Sequence, residues 1–87
     1  MMIINRSEIT AFTNLSQEIC LQVLNIIERE FGEIGDFCIE DNEVYFRAYR
    51  GYFEDAKSEI VQNGIKLKLS SKSDENFSVG YDIEMET

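Results

Sequence analysis

Between residues 77 and 86 apolar and polar residues alternate without a break. Phe77, Val79, Tyr81, Ile83 and Met85 take one set of positions; Ser78, Gly80, Asp82, Glu84 and Glu86 take the other. Successive side chains of a strand point to opposite faces, so this strand has one face in a core and one in water. Such a pattern belongs to an antiparallel sheet that is covered on one side only. Ile65, Leu67 and Leu69 alternate in the same way with Lys66 and Lys68, ahead of the polar loop Ser70 to Asn76. The spacing predicts a hairpin whose lysines Lys66 and Lys68 face Asp82 and Glu84.

An earlier hairpin is predicted from Asp36 to Glu40 and from Glu43 to Tyr49, around Asp41-Asn42. Asp and Asn tolerate the positive φ that a two-residue primed turn requires. This register pairs Ile39 with Val44 and Phe37 with Phe46 on the core face. It leaves Asp36, Cys38, Glu40, Glu43, Tyr45, Arg47 and Tyr49 on the other. Glu40 then lies opposite Glu43, a mildly unfavourable pair.

Leu15, Ile19, Cys20, Val23, Leu24, Ile27 and Phe31 recur at three- and four-residue steps and predict a helix over 16–31. Ser16 is its N-cap, Leu15 and Cys20 flank the cap as a hydrophobic staple, and Gly32 ends it. A second helix is expected over 53–63, with Phe53, Ala56, Ile60 and Val61 buried and Asn63-Gly64 as its stop. Residues 2–4 suit a brief edge strand. Ile9 and Phe12, three apart, allow a short helical turn. The expected fold is α+β, one domain spanning residues 1–87. It has two layers: a mainly antiparallel four-stranded sheet in αββαββ order, with both helices on one face and the other face open.

The chain has no histidine, which removes Ser-His-Asp and Cys-His machinery and His-containing zinc sites. The five glycines build neither a dinucleotide fingerprint nor a P-loop. Two cysteines cannot supply a structural zinc tetrad, and Asp41-Asn42-Glu43 lacks the alternating oxygens of a calcium loop. Cys20 lies on the apolar helix stripe and Cys38 beside acids, which raise a thiol's pKa. Asp55-Ala56-Lys57 has the acid-x-lysine spacing of some nucleases, but on a helix rather than a strand. These readings predict a non-enzymatic protein with no metal and no cofactor. No stretch approaches the ~18 apolar residues of a membrane helix, and Met1 to Ile4 breaks at Asn5-Arg6 without a signal-peptide core. Two cysteines make no disulfide framework, so the expected compartment is the cytoplasm, with reduced thiols.

Charge carries the functional expectation. Seventeen acids against eight bases give a net charge of −9. Residues 1–45 carry −7, residues 46–73 carry +3 and residues 74–87 carry −5. This acidity disfavours anionic membranes and bare nucleic acid. A chain of this mass exposes roughly 5,300 Å², about one net charge per 590 Å². Duplex DNA carries about one per 100 Å², so a DNA mimic would need its acids gathered on one side. Asp36, Glu40, Asp41 and Glu43 form one acidic group, and Asp82, Glu84 and Glu86 a second. Glu28, Glu30 and Glu33 end the first helix and could join them. Tyr45, Arg47 and Tyr49 stand in a row, with Arg50 and Tyr52 beyond, and tyrosine and arginine are enriched at interface hot spots. The expected partner is a larger basic protein that handles nucleic acid. Phage-type antagonists of bacterial defence nucleases (anti-CRISPR or anti-restriction) and immunity proteins of nuclease toxins share this size, acidity and lack of catalytic groups. The alternative is a structural or assembly subunit that forms a homodimer through the open sheet face.

Overall fold

A computed structural model describes residues 2–4 and 9–85. Among the described residues, seven strands and two helices follow one another: β1 (Met2–Ile4), β2 (Ile9–Phe12), α1 (Gln17–Phe31), β3 (Gly35–Glu40), β4 (Glu43–Arg47), α2 (Arg50–Glu54), β5 (Glu59–Gln62), β6 (Ile65–Ser73) and β7 (Ser78–Met85). All seven strands form one sheet, in the order β1-β2-β3-β4-β7-β6-β5. The five from β3 to β5 are antiparallel throughout. β2 joins β3 in parallel and β1 joins β2 antiparallel. The fold is α+β, as the pattern predicts, but the sheet is larger than four strands and the αββαββ order does not hold.

α1 forms where its periodicity places it. The Ser16 hydroxyl accepts from the Ile19 N–H at 3.2 Å, and Gly32 closes the helix at φ +69°. Leu24 is buried, and Cys20, Val23, Ile26, Ile27 and Phe31 are buried in one core cluster with the sheet. They meet Ile39, Val44, Phe46, Ile65, Leu67, Val79 and Tyr81, all at most 1% exposed. Phe31 packs edge-on against Phe46 at 4.8 Å and Tyr81 at 6.0 Å, and Phe46 stacks on Tyr81 at 6.2 Å. The Tyr81 hydroxyl donates to the Lys57 carbonyl. No helix among the described residues is long and apolar enough to cross a membrane.

The second helix is the main correction. α2 spans only Arg50–Glu54, and residues 59–62 are the strand β5. Phe53, Ala56 and Ile60 fit a helical stripe, yet Ile60 is buried while Val61 is 52% exposed, the alternation of a strand. Asn63 and Gly64, at φ +53° and +76°, are a primed hairpin turn rather than a helix stop. Asp55-Ala56-Lys57 accordingly lies beyond α2, not within a helix. Residues 9–12 are likewise a strand and not a helical turn. Residues 5–8 lie outside the described residues.

The hairpins hold their expected registers with two shifts. Ile39 pairs with Val44, Cys38 with Tyr45 and Glu40 with Glu43. Phe37 does not pair singly with Phe46. A bulge lets Asp36 and Phe37 together oppose it, with Asp36 at φ +52°. β6 runs through the predicted polar loop to Ser73, with a bulge between Leu69 and Ser71. Lys66 faces Glu84 and Lys68 faces Asp82, as the alternation predicts.

α2 packs at the C-terminal end of α1, where the Tyr52 ring lies against Gly32, and Phe53 joins the core. The molecule is 19 Å across its thinnest axis, room for a sheet and one helical layer. β1 and β2 extend the sheet sideways, and no described element covers the face opposite α1.

Candidate interaction site

Pairing registers set which side chains share the open face. Glu40 on β3 lies opposite Glu43 on β4, and Glu43 lies opposite Asp82 on β7. Three carboxylates therefore cross three adjacent strands in a row, with Cα atoms about 4.5–5.5 Å apart. Lys68 and Glu59 continue this row on β6 and β5. Glu84 stands two residues along β7, opposite Lys66. The front and tail acids thus meet on one face. No three acidic or cysteine side chains among the described residues converge as a metal-ligand group.

Beside the acid row runs Cys38–Tyr45–Gly80–Ser71. A Cβ on Gly80 would lie 2.5 Å from the Ser71 hydroxyl oxygen and 3.1 Å from Cδ1 of Tyr45. The tyrosine ring and the β6 bulge therefore lie directly on the glycine backbone. A glycine inside a strand marks such a close approach, and this signal was present in the sequence. Gly80→Ala is expected to destabilise the fold by about 1–3 kcal/mol, through displacement of the Tyr45 ring and Ser71. Urea unfolding measures this, and Ser71→Gly in the same chain should recover part of the loss.

The acid row also acts on Tyr45. Its hydroxyl is pushed up to about 12, first by a hydrogen bond to the Glu43 carboxylate, then by desolvation and by the charges of Glu43, Glu40 and Asp82. Burial, then the charge of Glu30, pushes Tyr81 up to about 12 as well. Both phenols keep their protons in the fold above the pH at which an unfolded tyrosine ionises, near 10. Folding stability from these groups is therefore complete below pH 10 and is lost as pH rises toward 12. In ultraviolet titration, Glu43→Gln should bring the Tyr45 transition back toward 10. An unchanged titration would mean that Glu43 does not hold this hydroxyl. Burial, then Glu40, raises the Cys38 thiol, so the acids suppress its nucleophilicity.

The remaining predicted residues disperse. Asp41 is at the hairpin tip, where its carbonyl accepts from the Thr13 hydroxyl. Asp36 leaves the acid row at the bulge and pairs with Arg47 at 3.2 Å. Arg47 is on the open face, opposite Ser78, and its Nε donates to the Asn76 carbonyl at 3.2 Å. Tyr49 is not on that face. β4 ends at Arg47, and Tyr49 is the N-cap of α2, 60% exposed. Glu28, Glu30 and Glu33 belong to α1 and the turn after it, on the covered side, and Glu30 pairs with Lys57 at 3.1 Å. Glu86 lies outside the described residues.

At this end of the sheet is a groove of about 590 Å³, whose lining includes Glu33, Ile34, Arg47, Tyr49, Arg50 and Phe77. Phe77 holds φ +56°, strained for an aromatic residue, and its ring packs edge-on against Phe53 at 5.4 Å. The local sequence carries no signal for this groove, because its walls come from three separate segments. Comparison with known proteins finds no matching family model, no similar curated protein and no similar solved structure.

Proposed function

We propose that this protein is a small, acidic, non-enzymatic inhibitor that covers a basic, nucleic-acid-handling surface of a larger protein in the cytoplasm. The observation that carries this reading is the row Glu40–Glu43–Asp82 on a sheet face that no described element covers. Like charges directly opposite one another destabilise a sheet, and a partner's cations would relieve that repulsion on docking. Tyr45 and Arg47 beside the row are residue types that anchor interfaces. A phage-type antagonist of a bacterial defence nuclease, or a nuclease-toxin immunity protein, could use such a face in this way. Lys66 and Lys68 interrupt it on β6, so the face suits contact with a basic protein better than wholesale imitation of a DNA backbone.

The test is affinity capture from the heparin-binding fraction of a lysate, followed by association kinetics with the captured protein over a salt series. The expected result is a basic partner whose association slows steeply as salt rises and which duplex DNA displaces. Salt-insensitive binding, or capture of no basic protein, overturns the reading. A stable dimer in sedimentation that Tyr45→Ala disperses would assign the face to self-assembly instead.

A further inference from the structure

We propose that the groove between the turn after α1 and the start of α2 receives an arginine side chain of the partner. This inference rests on the basic-partner reading above. Two of the groove's cations are already neutralised within the chain: Arg47 by Asp36 at 3.2 Å and Arg50 by Glu54 at 3.0 Å. Glu33, exposed on its wall, has no hydrogen bond or ion pair among the described residues. The charge left over is negative, so the groove complements a cation. Its floor is apolar, with Ala48 8% exposed and Ile34 and Phe77 packed on the core. The exposed ring of Tyr49 stands at its side.

This combination favours guanidinium over ammonium. Guanidinium is planar and weakly hydrated, and it can stack on a tyrosine ring while its edge bonds to a carboxylate. An ammonium would give up more hydration over the same floor. A volume of about 590 Å³ takes one such side chain and part of the backbone that carries it. β4 links the two regions, since Glu43 in the acid row and Arg47 at the groove are four residues apart, about 14 Å along the strand. A standard interface of about 800 Å² per partner spans that distance. One partner can therefore lie on the acids and place an arginine in the groove.

The test is amide NMR of the full chain, titrated with acetyl-Gly-Arg-Gly-amide and with its glutamate counterpart. The arginine peptide should give saturable shifts at residues 33–36, 47–50 and 76–77, with a dissociation constant on the order of 1 mM. Glu33→Gln and Tyr49→Ala, both at exposed positions, should each weaken it about ten-fold. Equal shifts from the glutamate peptide, indifference to both variants, or no shift at the groove overturn the proposal. Shifts confined to Glu40, Glu43 and Asp82 overturn the groove alone, because the acidic-face reading stands or falls on the salt series.

Discussion

Phe46→Ala is expected to lower the unfolding free energy by about 3–5 kcal/mol, the range for removing a large buried ring. Phe46 is 1% exposed and lies between a ring from α1 and a ring from β7. Phe31 is held by its helix, and Tyr81 by its strand and by its bond to the Lys57 carbonyl. Walls fixed in this way cannot collapse into the space left by the ring, so the cavity term stays large. A domain of this size has about 5–15 kcal/mol in total, so the loss takes much of it. Urea unfolding should show a lower midpoint at unchanged slope. Phe46→Leu should cost clearly less. A loss under about 1 kcal/mol for Phe46→Ala would mean that this cluster does not hold α1 to the sheet.

Reversing the acid row by Glu40→Lys, Glu43→Lys and Asp82→Lys together should slow association with a basic partner by about 10- to 1,000-fold at low salt. The exchange puts three like cations where three like anions stood. The free protein keeps a repulsive row, now lengthened by Lys68 opposite position 82, so the fold is expected to lose only about 1 kcal/mol. Stopped-flow association over a salt series measures the first effect, and thermal unfolding of the same variant checks the second. An unchanged association rate in a folded variant would remove the row from the interface. The same reversal at Glu18 and Glu28, on the helical side, should leave the rate nearly unchanged.

Sequence patterning reveals elements whose partners are close in the chain. α1 follows from its stripe and cap. The β3–β4 and β6–β7 hairpins follow from alternation, because adjacent strands share one turn. β5 escapes because four residues fit either period. Ile60 continues a helical series from Phe53 and Ala56, and Asn63-Gly64 serves equally well as a helix stop or a primed turn. The parallel pairing of β2 with β3 escapes because a whole helix separates the partners. The same limit applies to the site. Glu40 beside Glu43 is predictable from one hairpin, whereas Asp82 beside Glu43 depends on β7 lying next to β4, a choice made only in the tertiary structure. Alternation alone puts Tyr49 on the open face because it says nothing about where a strand stops, and here the chain turns into α2.

The position of β7 has a consequence for how the molecule is made. It is the last described strand in the chain, yet it lies between β4 and β6 in the sheet. A nascent chain that ends before residue 78 can hold the β3–β4 and β5–β6 hairpins, but no strand pairing joins them. Each presents a bare edge, and the aromatic cluster lacks Tyr81. On the ribosome, the two halves must wait for β7 to emerge before either is shielded. A stalled or clipped chain is therefore left with two sticky fragments rather than a trimmed protein.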